Sequence, residues 1–419
     1  MTTDTNPAPD ASPTSDTSPV PDTTPAPDAS PTSDKNPPAP DTRPAPDASL
    51  IPDTSPAPDM SPTPDTSPAL NPSFVLKGPR KGVIEDGPIP LIRSHTDVII
   101  RIHSRAFSAP DVTLWRNGPK DINGKGHVPG LHASGVVTMV GPRCKTLKEG
   151  DRVVFSPLCP CRTCVFCKSG VHNLCPQRTV LGIPPVDGTL QKFCVVPEDL
   201  CVVLPDHLTF EQGAIVGSYA IAFHVCRQAN IRPGNSVIIF GENSCAKFCA
   251  AAAKTFGATM VVLIGKQNYP NIKPTDTAKE IAKSVLKRYK LSTGSHVVIE
   301  ASGFDIFMNT GIYVLRPRGT FVQIYSTAYG FDRPTDFPVR QACMKELVVR
   351  GARGCLPEDF ITSIEMLASG ELSMKEVKNV YEFEDAQVAF EKAQKEIEGD
   401  NAARRMGDPS FFISGPRDE

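Results

Sequence analysis

The sequence has no apolar run approaching the roughly 20 residues that would cross a bilayer, and no apolar stretch follows a basic start near Met1. Neither a membrane span nor a secretory leader is expected. It also lacks any stripe of lysines and arginines with interleaved aromatics, so nucleic acid is not an expected partner. Basic residues are scarcest in the first 72 positions, which hold 20 of the 43 prolines and 11 aspartates against only Lys35 and Arg43. That segment is near −9, so the overall −2 leaves residues 73–419 near +7. A mild positive excess of this kind points to a small-molecule substrate. Thirteen cysteines is an odd number, and several cluster at metal-ligand spacing instead of scattering as a disulfide framework. That pattern suits a reducing, cytoplasmic setting.

Residues 1–72 form a degenerate hexapeptide array of the type P-x-P-D-x-S. Its aspartates fall at 4, 10, 16, 22, 28 and 34, and resume at 41, 47, 53, 59 and 65. Such a composition buries little apolar surface and favours extended polyproline II, so a disordered acidic tail is expected. Short strand signals follow, among them Asp97–His103 and Ser134–Val140, with Gly/Pro punctuation that fits a β-rich domain. From about residue 221 strands and helices alternate. Ser236–Phe240, Met260–Ile264, His296–Glu300 and Thr320–Tyr325 read as strands, with helical texture over Ala246–Phe256 and 276–288. Alternation of this kind predicts parallel βαβ units in a doubly wound sheet.

Cys161, Cys164, Cys167 and Cys175 follow one another at C-x2-C-x2-C-x7-C spacing, with Gly170 available for a turn. Four thiolates can close a tetrahedron around zinc and leave no open position, which marks a structural site with one zinc per chain. Cys159 is a spare thiol beside it.

With this cysteine lobe the sequence resembles the zinc-containing medium-chain dehydrogenase/reductase superfamily, in its xylitol and sorbitol (polyol) dehydrogenase branch. The likeness runs from Asn71 to about Pro416. It rests on Asn71–Leu76, Glu85–Pro90, Val112-x-x-Trp115, Cys161–Cys175, Leu181–Thr189, Pro197–Asp199 and Ile299-Glu-x-x-Gly303. It implies an α/β chain in four parts. Residues 1–72 are the tail, and 73–220 a GroES-like substrate domain carrying a zinc lobe at 157–178. Residues 221–350 are a Rossmann domain, and 351–419 pack back on the substrate domain. It further implies an active site in the cleft between the domains, NAD-linked polyol chemistry, and a dimer or tetramer.

The departures from the family pattern are specific. The family's Gly-Ile-Cys-Gly-Ser-Asp segment reads Ala106–Asp111 here, so Ser108 replaces the cysteine that binds catalytic zinc and Pro110 replaces the relay serine. The family's Gly-His-Glu becomes Gly130-Leu131-His132, and a later Glu-Pro becomes Gly217-Ser218. Serine, leucine and glycine do not supply the three ligands a catalytic zinc needs. No catalytic zinc is expected.

In the nucleotide cleft, Gly-x-Gly-x-x-Gly becomes Gly241-Glu242-Asn243-Ser244-Cys245-Ala246. Gly241, Asn243 and Ser244 are the expected cofactor-binding positions, although Glu242 places a carboxylate where phosphate should dock. The acid that holds the ribose of NAD gives way to Gly265, followed by Lys266, which suits the 2′-phosphate of NADP(H). This resembles the zinc-free, NADPH-using trans-acting enoyl reductases of polyketide pathways. The competing reading is that no nucleotide binds and Lys266 is a surface charge.

Family position places Ser108, Asp111, Thr113, Trp115, Leu131, His132, Tyr219 and Tyr325 around the old substrate pocket. His132 is the acid/base candidate, with Tyr325, Tyr219 and Ser108 as further catalytic candidates. Each has a bland alternative as a structural histidine or a packed tyrosine. Cys245 and Cys249, one helical turn apart, read as core. The expected function is a zinc-independent, NADP(H)-dependent reductase of a carbonyl or activated alkene, recruited to specialised-metabolite biosynthesis. A non-redox enzyme of cyclisation, isomerisation or elimination, and a catalytically dead scaffold, stand as alternatives.

Overall fold

A computed structural model of the protein describes residues 70–119, 124–265, 273, 275–324, 336–372, 379–398 and 411–416. Strands β1 (Leu70–Gly78) and β2 (Lys81–Pro88) pair as an antiparallel hairpin. Next come β3 (Asp97–Ala106), α1 (Ala109–Asn117), β4 (His132–Val140) and β5 (Arg152–Phe155). The cysteine lobe contributes β6 (Leu158–Cys159), α2 (Val165–Lys168) and β7 (Thr179–Val180). Strands β8 (Phe193–Pro197) and β9 (Cys201–Val203) return to the main sheet, β8 alongside β3 and β9 alongside β5. Every pairing of β3, β4, β5, β8 and β9 is antiparallel, and Val98, Ile100, Val137, Val153, Phe155 and Val196 turn inward to form one core.

Helix α3 (Phe210–Gln228) joins this half to the next. Its start is set by a reciprocal cap: Gln212 N–H donates to Thr209 Oγ1 at 3.2 Å and Thr209 N–H to Gln212 Oε1 at 2.8 Å. The helix is apolar nearly all round because it packs on β3, β4 and β5 on one side and on α4 (Ser244–Thr255) and α8 (Pro357–Ala368) on the other.

The second half runs β10 (Ser236–Phe240), α4 (Ser244–Thr255), β11 (Met260–Ile264), α5 (Ala278–Arg288), β12 (Ser295–Glu300), α6 (Asp305–Val314), β13 (Leu315–Ile324), α7 (Val339–Met344), β14 (Val348–Ala352) and α8 (Pro357–Ala368). Its five strands are all parallel, in the order β11-β10-β12-β13-β14. Every residue of β10 is buried, as expected of a central strand covered by helices on both faces. The chain then re-enters the first half through β15 (Asn379–Tyr381), α9 (Ala386–Glu398) and β16 (Phe411–Ser414), where β16 pairs with β3. Phe390 on α9 closes a second aromatic core, stacked on Phe74 and Trp115 at ring distances of 5.5 and 5.7 Å.

The fold class is the one read from the sequence: a GroES-like β-rich domain and a Rossmann-type parallel sheet. Three boundaries differ. A division at 220/221 would cut through α3, which serves both halves. A division at 350/351 falls inside β14, and α8 packs on α3 with the Rossmann core, so only β15 to β16 return to the first domain. The first described strand starts inside the expected tail, at Leu70, and residues 1–69 lie outside the described residues.

Candidate functional site

The Cys lobe comes together as the spacing implied. The Sγ atoms of Cys164 and Cys167 are 3.5 Å apart, those of Cys164 and Cys175 3.8 Å, and those of Cys161 and Cys167 3.9 Å. Thiolates each about 2.3 Å from a tetrahedral zinc are about 3.8 Å from one another, so the four fit the ion. Backbone N–H groups of Cys161 and Cys164 point at Cys175 and Cys161 sulfurs, at 3.4 and 3.3 Å, as they do toward thiolates. Among the described residues this is the one gathering of three or more His, Cys, Asp or Glu able to share a metal. The lobe is anchored to the Rossmann half by Asn173, whose amide donates to the Arg353 carbonyl at 2.8 Å. Asn173 also meets His224 of α3, which bonds to the buried Asp359 at 3.1 Å. No sequence motif signalled that chain of contacts.

A cavity of about 280 Å³ lies where α1, the start of β4, α3, α4 and the cysteine lobe meet. Its walls are mostly carbon, from Pro110, Leu131, Leu158, Val180, Ile221 and Phe248. The lining also takes in His132, Ser108, Ser156, Ser218, Ser244, Cys245 and Cys355. A larger groove of about 800 Å³ lies beside the β1–β2 hairpin. Its histidine, His127, is already held by the Gly182 carbonyl at 3.0 Å and Asp187 at 3.3 Å, and none of the family's site positions line it. The smaller cavity is therefore the candidate site.

Ser108 precedes α1, and its hydroxyl and N–H both donate to Asp111 Oδ2, at 2.5 and 2.9 Å. Asp111 Oδ1 accepts from Gly130 N–H at 3.1 Å. Burial pushes the Asp111 carboxyl up to about 6, against the downward pull of these three donors. Ser108 thus reaches the cavity wall with its proton already committed to a structural carboxyl.

His132 lies against Gly217 on α3. A Cβ built on Gly217 would fall 2.3 Å from His132 Nδ1, so the imidazole occupies the space a side chain at 217 would need. His132 Nδ1 is buried and has no hydrogen-bond partner among the described residues. Burial pushes the imidazole down to about 4, which keeps it neutral at pH 7. A buried N–H without an acceptor is costlier than a buried lone pair, which places the proton on Nε2. With Nδ1 turned to the helix, Nε2 is the ring nitrogen left for the cavity. Leu131 lines the same cavity without donor atoms.

Tyr219, expected at the pocket, is packed in the core against Phe248 at a ring distance of 4.5 Å and does not line the cavity. The reason is helical geometry. Ser218 and Ile221 face the cavity, and Tyr219 is turned about 100° from Ser218. Cys249 is core as expected, whereas Cys245 lines the cavity. Trp115 is likewise in the aromatic core around Phe390. Tyr325 and Lys266 lie outside the described residues.

In the first Rossmann turn Gly241 has φ +142°, and a Cβ there would fall 3.1 Å from Ala246 Cβ, so only glycine fits this close approach. Asn243 caps α4: its Oδ1 accepts Ala246 N–H at 2.9 Å and its Nδ2 donates to the Ala301 carbonyl at 2.8 Å. One first-turn amide is thereby used internally, while Ser244 opens the helix at the cavity edge. Glu300, at the end of β12, accepts from the N–H groups of Ser302 and Gly303 and from Gln323 Nε2 at 2.6 Å, which fixes the neighbouring turn. A glycine turn feeding a twelve-residue helix at a parallel-sheet edge fits a dinucleotide phosphate.

Family models agree with this architecture. "Alcohol dehydrogenase GroES-like domain" matches residues 94–206, and "Zinc-binding dehydrogenase" matches residues 236–369. D-xylulose reductase A of Aspergillus oryzae is 37% identical over 345 residues, covering 78% of this chain and 94% of that protein. A probable D-xylulose reductase A of Emericella nidulans is 36% identical over 338 residues, covering 77% and 93%. Among solved structures, Escherichia coli L-idonate 5-dehydrogenase superposes with a TM-score of 0.68 at 22% identity, over 82% of this chain and 98% of that one. A putative zinc-binding dehydrogenase from Sinorhizobium meliloti, bound to NADP, gives 0.70 at 18% identity, over 83% and 99%. The cysteine lobe, the paired domains and these relatives place the chain in the zinc-containing alcohol dehydrogenase (medium-chain dehydrogenase/reductase) superfamily, with polyol dehydrogenases among its homologues.

Proposed function

We propose that this chain is a zinc-independent oxidoreductase that uses a nicotinamide dinucleotide on a small, largely apolar carbonyl compound or activated alkene. The observation that carries the reading is His132 seated on Gly217. The residues around the cavity do not fit a catalytic zinc. Gly217 and Leu131 offer no donor, the Ser108 hydroxyl donates its hydrogen bond to Asp111, and His132 fills the room a ligand from α3 would take. Cys245 and Cys355 remain as sulfur donors, but they are not gathered with any third ligand among the described residues.

A bound nicotinamide would supply or accept hydride; Gly241, Asn243 and Ser244 would hold its phosphates. The protein's own part is to orient and polarise. Neutral His132, protonated on Nε2, can donate a hydrogen bond to a substrate oxygen, and a neutral imidazole polarises a carbonyl without first needing to be charged. The apolar wall of Leu131, Leu158, Val180, Ile221 and Phe248 excludes water from that bond. The D-xylulose reductases supply the oxidoreductase setting. None of the relatives' names carries the expected recruitment to specialised-metabolite biosynthesis.

The test is turnover by the purified chain, with no metal added, of a panel of small aldehydes, ketones and enones set beside D-xylulose and xylitol. Turnover of an apolar member that His132→Ala diminishes and chelator leaves alone is expected. Zinc-stimulated oxidation of xylitol would sink the reading.

A further inference from the structure

Strands β10 and β11 pair in parallel with Phe240 beside Ile264, and Gly241 N–H donates to the Ile264 carbonyl at 2.8 Å. Residues 242 and 265 therefore leave the sheet edge side by side. Gly265 has no side chain, and Glu242 lies where one would be. A Cβ built on Gly265 would fall 1.8 Å from Glu242 Cγ, 2.3 Å from its Cδ and 2.6 Å from Oε1. The glycine makes the room, and the turn before it delivers a carboxylate to the carboxyl end of β11.

In doubly wound sheets an acid about 20 residues past the glycine turn accepts the ribose hydroxyls of a dinucleotide, whereas a 2′-phosphate is met by a cation. We propose that Glu242 is that acid here, supplied from the first turn instead of the second strand, and that it makes the site select NAD(H) over NADP(H). The inference rests on the dinucleotide reading above and deepens it. It reverses the preference expected from Gly265 and Lys266, for the gap at Gly265 is filled by a negative group. A carboxylate pairs with a vicinal diol through two O–H donors, and it repels a phosphate in the same place.

The experiment is a nicotinamide-fluorescence titration of the full chain with NADH and with NADPH. It compares wild type, Glu242→Ala, and the double variant Glu242→Ala with Gly265→Asp. Wild type is expected to bind NADH at least about tenfold more tightly than NADPH. Glu242→Ala should bring the two affinities together, and the double variant should restore the preference, because it returns a carboxylate from the strand end. A role for Glu242 in folding alone would not produce that rescue. Tighter binding of NADPH by wild type, or a selectivity that Glu242→Ala leaves unchanged, overturns the inference and leaves the dinucleotide reading standing. Binding of neither nucleotide by wild type removes the dinucleotide reading, and the inference with it. The wild-type ratio decides between these even where a variant does not fold.

Discussion

Gly217 and His132 share one space: the imidazole, presented from the start of β4, packs so closely on α3 that a Cβ at 217 would lie 2.3 Å from Nδ1. The absence of a side chain at 217 is what makes room for the ring. A glycine in mid-helix weakens α3 by about 1 kcal/mol relative to alanine, and here it admits a ring.

The first prediction tests that coupling. Gly217→Ala should destabilise wild type by about 1–3 kcal/mol through overpacking, despite alanine's better helix propensity. In a His132→Ala background the same change should be neutral or stabilising. Urea denaturation of the two singles and the double gives the cycle, and additivity within about 0.5 kcal/mol would show that the two positions are independent.

Acid should act on His132 with a definite sign. Its folded pKa lies near 4, below the unfolded value near 6.5, because burial disfavours the charged ring. The neutral ring therefore contributes stability that is present above about pH 6.5 and lost as pH falls toward 4. Asp111 acts oppositely. Its folded pKa is raised to about 6, so folding regains stability as pH falls through that value. The two partly cancel in wild type. Comparing wild type with His132→Gln isolates the first: the difference in unfolding free energy should shift against wild type by about 3 kcal/mol between pH 7 and 4. A flat difference would contradict a buried neutral imidazole.

Asp111→Asn should loosen the entry to α1. The carboxylate accepts from Ser108 twice and from Gly130 once, and an amide replaces one accepting oxygen with a donor. A loss of about 2–3 kcal/mol on thermal or urea unfolding is expected. Since Asp111 holds Ser108 and not a reactant, substrate affinity in any folded fraction should change less than stability does.

Much of this was legible in the sequence. The four cysteines announce a local metal lobe because their geometry is set by short spacing and one turn, and alternating strand and helix texture announces the Rossmann half. What sequence motifs could not convey is which side chain fills the space another has vacated. Residues 132 and 217 are far apart in the chain, as are 242 and 265, and the motif comparison scores each substitution alone. Only the packing of β4 on α3, and of β10 beside β11, joins them. Tyr219 went astray for a related reason, since one step along a helix turns a residue from cavity to core. No composition shift marks residue 220 as the interior of α3, which packs on β3, β4 and β5 as well as on α4 and α8.

The lobe predicts its own metal dependence. Cys164→Ser removes one of four thiolates that stand 3.5 and 3.8 Å from their neighbours, so zinc should be lost and Asn173's link to Arg353 loosened. Faster proteolysis near residues 157–178, with the nucleotide affinity of the Rossmann half largely kept, is the expected readout.

The central claim is that the cleft cannot hold a second, catalytic zinc, and the most direct measurement is elemental analysis of the purified chain after equilibration with excess zinc and desalting. One zinc per chain, retained in a His132→Ala variant and lost in Cys164→Ser, is the expected result. Two zinc ions per chain, the second lost when His132 or Cys245 is replaced, would contradict the account.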